Sequence, residues 1–510
     1  MPKYLLRIVE YLRSVKFYRL ILGLFIFEAA WIAISAAYPQ AFDENFHFGL
    51  IKVYSHYWLP FLSGQPPHAD AYGAVARDPS YLYHYLMSFP YRFIALFVHN
   101  QIGQVIILRF LNIFLFSWGI VLFRKILLRV GTSKALTNMI LVLFILIPIV
   151  PQIAGQVTYD NLLFPLIAAF ILLAFRVVDE IKAKKPSAWT ISMLAGFGIL
   201  ISLVTDTFMP IYGGMALFLI ILTYKTYSRH FLQFFKHLVI SWGKQKNLAR
   251  VTIIALIVIS LGLFAQRDGY NLVVYHSLEP NCSKVLTVKQ CLAYSPWAYN
   301  YHNRAVVAKG NANFEFSNPF VYFVQWLYWM WYRLFFAVNG PNQNFKNYPP
   351  LPLPSLAMLI VTAVGLVALV KWWRKIFAGN LYLLMLFIVT AMYLIALIGH
   401  GYFTYLSTNV LENMNGRYLI PIMLLAAAII GQALSRVFKA QTKKTIFALV
   451  ILLLFLEGGG LLTFIARSNS TWDVQNKAIV KVNNTARKVV KKVVVKGHDS
   501  RHSGLWFLVN

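Results

Sequence analysis

Leu20-Ile-Leu-Gly-Leu-Phe-Ile-Phe-Glu-Ala-Ala-Trp-Ile-Ala-Ile-Ser-Ala-Ala37 runs without a break into Tyr38-Pro-Gln-Ala-Phe-Asp-Glu-Asn-Phe-His-Phe-Gly49. The first part is an apolar run close to the ~20 residues a helix needs to cross a bilayer. No small-residue cleavage site follows it, so it reads as a retained span rather than a signal peptide. The second part sets Asp43 and Glu44 side by side where the chain leaves the span, then His47, with aromatic residues between them. Acids are scarce, 17 against 47 Lys plus Arg in 510 residues. Two adjacent carboxylates at a membrane exit therefore point to chemistry at the bilayer surface.

The composition, 59% hydrophobic and 13% charged, excludes an ordinary soluble domain, which carries about 25% charged residues. Apolar runs of spanning length fall near 18–37, 104–123, 135–154, 161–177, 188–205, 207–224, 250–266, 353–370, 380–399, 418–435 and 445–466. The fold expected is an all-α polytopic membrane protein with about eleven transmembrane helices. The N-terminal arm and the connections after the second, fourth, sixth, eighth and tenth runs hold 26 of the 47 basic residues. The alternate connections hold 12 basic residues and ten of the 17 acids. That asymmetry puts the N-terminus in the cytoplasm and the first loop outside, in a plasma (inner) membrane. The net charge of +30 is then an insertion and anionic-lipid signal, not a nucleic-acid footprint.

The transmembrane unit is expected over 1–466, with long outer loops at 38–103 and 267–352 and a basic tail, 467–510, also outside. Asn45 to Leu59 has helical periodicity with aromatics on one side and reads as an interfacial helix. Pro319 to Phe336 is too aromatic for an ordinary span and reads as re-entrant or interfacial, with a twelfth span as the alternative. Pro349 to Pro354 ends any helix and re-aims the chain. Cys282 and Cys291 share the second long loop and can pair if it faces an oxidising compartment; otherwise they are two free thiols. No phosphate-binding glycine loop, zinc-protease helix motif or Cys/His metal array occurs.

One of Asp43 and Glu44 can act as general base toward an acceptor hydroxyl, with the other, or His47, orienting it. Successive residues do not share a helical face, so only one of the two faces a substrate. Two solvated loop acids are the plain alternative. Asp78 can support Asp43, bind a cation, or cap a helix beginning at Pro79. Arg417 opens the run at 418–435, where its fork suits a lipid phosphate or simply reaches the headgroups. Arg333, Lys52, Arg77 and Arg304 are further candidates for a phosphate. Asp160 and Asp206 sit at turns between spans, lining a cavity or serving as turn residues. Glu28 and Glu457 lie within apolar runs and need a partner, a proton or an interface.

Phe42-Asp-Glu-Asn-Phe-His-Phe-Gly49, with Tyr54 beyond it, resembles the first-loop signature of protein O-mannosyltransferases. More broadly it is similar to the C-type (GT-C) glycosyltransferases, which include the bacterial aminoarabinose transferases. Asp78-Pro79, the turn Thr158-Tyr-Asp160 and Arg417-Tyr418-Leu-Ile-Pro421 match other motifs of that superfamily. The resemblance implies a GT-C-like fold with interfacial helices in the long outer loops, and a polyprenyl-phosphate-linked sugar as donor. It implies Asp43 as catalytic base, Glu44 as its supporting acid, and an acceptor that is a glycan, lipid or protein. His47, Arg77, Asp78, Asp160, Arg333, Arg417 and Tyr418 form the expected substrate-binding set. Some relatives use a divalent cation and others do not. The rival readings are an O-antigen polymerase or ligase, which leans on loop arginines, and a lipid or solute transporter, which leans on interrupted midplane helices.

Overall fold

A computed structural model describes residues 3–490 other than 229–230, 311, 313, 336–337, 339, 341–351, 413, 439 and 457–458. Glu457, the first half of the Pro349–Pro354 run and the tail beyond 490 lie outside the described residues; the second half of that run opens the helix Pro352–Phe377. Among those described, the chain is helical with no named strand. Nine helices are long and apolar enough to cross a membrane: Val15–Ser35, Gln101–Arg129, Asp160–Lys182, Asp206–Tyr227, Asn247–Tyr275, Leu356–Phe377, Leu381–Thr408, Gly416–Val437 and Thr442–Arg467. The other two apolar windows fall on shorter helices, Lys134–Ile145 and Ala188–Ser202. The window at 135–154 is not one continuous helix. Its first helix ends before Pro148 and a short one, Ile149–Ala154, follows, because proline lacks an N–H and restricts the residue before it.

Hydrogen bonds sort the connections into two ends. At one, Leu203 O accepts from Leu82 N–H (2.9 Å) and Ser80 Oγ accepts from Asp206 N–H (3.3 Å), so loop one meets the turn at 203–208. At the other, Asn138 Nδ2 donates to Leu12 O (2.8 Å) and Asn380 Nδ2 to Val130 O (2.9 Å). The acid-rich connections meet at the first end and the basic ones at the second. Packing between spans relies on close approach where the side chain is small. A Cβ at Gly119 would run into the Phe164 ring, and Phe116 stacks on Phe164 with centroids 4.2 Å apart. Large apolar side chains such as Phe114, Ile220 and Val258 stay exposed on the outside of the bundle, as a lipid solvent allows.

Glu44–Tyr54 is a helix, but not one lying open on a surface. Glu44, His47, Phe48, Gly49, Leu50, Ile51 and Tyr54 are buried, and it packs against Leu82–Phe97. Its polar groups find partners inside the protein, so burial succeeds where a lipid interface was expected. Trp58 and Leu59, just beyond it, are the exposed part. Pro319–Phe335 is helical and packs against Leu381–Thr408 and the turn at 416–419. Cys282 and Cys291 form a disulfide. Within the first span Glu28 is buried beneath the turn at Gly460, with Oε1 3.5 Å from Leu461 N–H.

The segment 468–490 comes back to the start of loop one. Ala37 N–H donates to Trp472 O (2.7 Å) and Val474 N–H to Ser35 O (2.8 Å). A buried cluster holds this segment together: Arg487 donates to both oxygens of Asp473 and to Ser468 Oγ, and Asn483 Nδ2 donates to Asp473 Oδ1 (2.7 Å). Asp473→Ala leaves a buried guanidinium unpaired. It is expected to cost about 3–5 kcal/mol, read as a lower thermal midpoint in detergent and as early proteolysis between 468 and 490.

Candidate functional site

The stretch after the first span is shaped by its backbone. Phe42 and Asp43 both take left-handed φ, 66° and 65°, a region Asp tolerates better than most residues. That turn points Asp43 and Glu44 in different directions. Glu44 goes inward and is fully buried. Its carboxylate accepts four N–H bonds: Arg109 Nε (2.8 Å) and Val157 N (3.0 Å) on one oxygen, Arg109 Nη2 (2.7 Å) and Gln40 N (2.8 Å) on the other. A carboxylate has about four lone-pair sites, so Glu44 has nothing left for a substrate. It is a positioning residue.

Arg109 is equally committed. Besides Glu44 it donates to Ala33 O (2.9 Å), Ala36 O (2.8 Å) and Ala37 O (3.3 Å), the unpaired carbonyls at the end of the first span. All five of its donors are used. Arg267 does the same for the rest of loop one. It donates to Val75 O (2.7 Å), Asp78 O (3.1 Å), Pro60 O (3.0 Å), Tyr54 OH (3.1 Å) and Gln266 Oε1 (2.9 Å). Neither arginine is marked by a motif. Arg109 does sit nine residues into a 29-residue apolar helix, where a charge needs partners, and that was the available signal.

Arg417 differs from both. Nη1 donates to Phe42 O (3.0 Å), and Nη2 to Asp43 Oδ2 (2.9 Å) and Tyr418 OH (3.3 Å). Nε is buried and has no acceptor among the described residues. The Asp43 side chain is 35% exposed while that of Arg417 is 9% exposed, so the acid is the solvent-facing member of the pair. Asp160, buried at the start of its span, accepts from Thr158 Oγ1 (3.1 Å) and is near enough to interact electrostatically with Arg417 and Asp43. Tyr418 is held by its carbonyl, which accepts from Tyr393 OH (2.5 Å).

The other expected residues divide. Arg333 donates to Met414 O (2.9 Å), and a Cβ at Gly416 would run into the Leu334 backbone. Arg333 therefore steadies the turn that carries Arg417. Arg77 lies 3.9 Å from the Tyr270 ring centroid and donates to Gln266 O (3.4 Å), among Arg267's contacts rather than beside Asp43. Asp78 accepts from Ser80 N–H (2.9 Å) within a turn, and the helix that it was expected to cap begins at Leu82 rather than Pro79. Tyr294, which no motif flags, stacks on Phe46 at 5.8 Å and is close enough to Asp43, Asp78 and Tyr418 to interact with all three. The second long loop thus reaches the neighbourhood of Asp43. Among the described residues no three His, Cys, Asp or Glu side chains are placed to hold a metal ion.

His47 is buried, unlike the partly exposed Asp43. Its Nδ1 lies 2.9 Å from His84 Nε2 and its Nε2 3.5 Å from Thr158 Oγ1, so it braces the turn bearing Asp160. Burial, with Arg417 adding to it, pushes His47 from 6.5 down to about 3. Burial, and then His47, holds His84 well below its ordinary value. Both rings are neutral in the folded protein at pH values where the unfolded chain takes up protons. Stability should therefore be constant above about pH 6.5 and fall as pH drops below it, by up to about 1.4 kcal/mol per pH unit for each ring. Thermal midpoints measured from neutral to about pH 5 check this, and a His47→Asn, His84→Asn double variant should flatten the slope.

Comparison of the chain with protein-family models, with curated proteins and with solved structures finds no match.

Proposed function

We propose that the protein is an inverting glycosyltransferase of GT-C-like architecture, crossing the plasma membrane about eleven times with its site on the outer face. The donor is a monosaccharide on a polyprenyl phosphate, and the acceptor a hydroxyl on a glycan, lipid or protein. The observation that carries this reading is the Asp43–Arg417 pair. It couples a partly exposed carboxylate to Arg417, which among the buried Arg109, Arg267 and Arg417 is the one with a nitrogen lacking an acceptor among the described residues. A carboxylate so held can take the proton of the acceptor hydroxyl. The acceptor oxygen then attacks the anomeric carbon, the bond from that carbon to the phosphate oxygen breaks, and polyprenyl phosphate leaves. Arg417, beside Asp43, supplies the positive charge that offsets the charge on the departing phosphate. Tyr418 and Tyr294 lie near the pair.

The orientation is supported by two independent facts. The basic connections gather at the end opposite Asp43, and the Cys282–Cys291 disulfide belongs to a loop on the Asp43 side, as an oxidising compartment favours. The experiment is to incubate membranes containing the protein with a radiolabelled polyprenyl-phosphate sugar. Transfer of label to an acceptor fraction, with release of unlabelled polyprenyl phosphate, is expected; label left wholly on the carrier under every acceptor tried removes the reading.

A further inference from the structure

At the end opposite Asp43, the helix Phe231–Gly243 joins two spans. One face meets the protein: Phe234 and His237 lie 5.5 and 6.2 Å from Tyr227, and Ser241 Oγ accepts from Ala188 N–H (2.8 Å). The spacing 234, 237, 241 is one helical stripe. The opposite stripe carries Leu232, Phe235 and Val239, which are 82%, 50% and 71% exposed. Lys236, Lys244 and Lys246 flank it, all exposed. Ser241's bond to Ala188 brings alongside it the turn bearing Lys182, Lys184 and Lys185, also exposed.

Opposing charge is nearly absent here. From Ile181 to Arg250 the sole acid is Asp206, which sits at the other end against Ser80. Asp179 and Glu180 close the preceding span, and both are taken: Asp179 by Arg129 and Tyr382, Glu180 by Arg176, Thr190 Oγ1 and Ser187 N–H. An apolar stripe rimmed by unopposed lysines, between two membrane spans, fits one partner by both shape and charge. We propose that Phe231–Gly243 is a docking surface for anionic phospholipid, its Leu232–Phe235–Val239 stripe sunk to the acyl boundary and its lysines on headgroup phosphates. This inference does not depend on the proposed sugar transfer.

The two native cysteines are bonded to each other, so Val239→Cys supplies a single free thiol for an environment-sensitive fluorophore. The labelled full chain is reconstituted into vesicles of phosphatidylcholine alone or mixed with phosphatidylglycerol. Emission should be blue-shifted and shielded from aqueous iodide, and more so with phosphatidylglycerol. Lys236→Gln, Lys244→Gln and Lys246→Gln together should abolish the difference between the two vesicles. Leu232→Cys, two turns away on the same stripe, gives the same reading should the first labelled variant fold poorly. Water-like emission in both vesicles, or an equal shift in both, overturns the proposal. So does self-quenching relieved by excess lipid, which would mean that a second copy of the chain covers the stripe.

Discussion

Asparagine in place of Asp43 is expected to reduce sugar transfer by about 10²–10⁴-fold, the usual contribution of a positioned general base, while the protein accumulates and unfolds as the wild type does. The geometry explains why the two effects separate. Asn tolerates the left-handed backbone at this position, and its amide oxygen can still accept from Arg417, so the turn is kept. Phe42 O and Tyr418 OH also go on accepting from Arg417, so the loop stays folded. What is lost is the ability to hold a proton taken from a hydroxyl. The measurement is transfer rate beside donor binding and thermal midpoint. Transfer at the wild-type rate in Asp43→Asn would remove Asp43 as the base.

Glu44→Leu should show the reverse pattern, failing first in stability. It strands Arg109, a fully buried guanidinium, with its carbonyl partners but without its counter-charge. Breaking one side of such a pair costs about 3–5 kcal/mol, a large share of the 5–15 kcal/mol that holds an ordinary domain together. Adding Arg109→Met to Glu44→Leu should recover part of that loss, because two apolar groups suit the site better than one unpaired charge. It should not restore the fastening of Ala33, Ala36 and Ala37. A double-mutant cycle on thermal midpoints reads the coupling, and a double variant no more stable than Glu44→Leu alone would contradict the account.

How far the sequence could be read depended on what enforced each feature. The long apolar runs were legible because lipid accepts nothing else, and nine of them became long helices. That only one of Asp43 and Glu44 could face a substrate followed from local geometry. The sequence could not say which residues converge from afar. Arg109, Arg267 and Arg417 look alike on the page. They differ in how many carbonyl and carboxylate oxygens the folded chain brings to each, and only Arg417 keeps a donor in hand. His47 looked like a ligand for substrate because its partner, His84, lies 37 residues on with no spacing to announce it. The helix beginning at Glu44 looked interfacial because its aromatics suit headgroups as well as they suit a protein interior.

The segment 468–490, fastened to Ser35–Ala37, sets a timetable. Arg417 leaves the ribosome 374 residues after Asp43, tens of seconds later at the usual ~5–20 residues per second, and the clamp on the first span's end emerges later still. Loop one must therefore wait, its left-handed turn without Arg417, until the segment 468–490 has been made. A chain interrupted before Arg417 lacks the Asp43–Arg417 pair altogether.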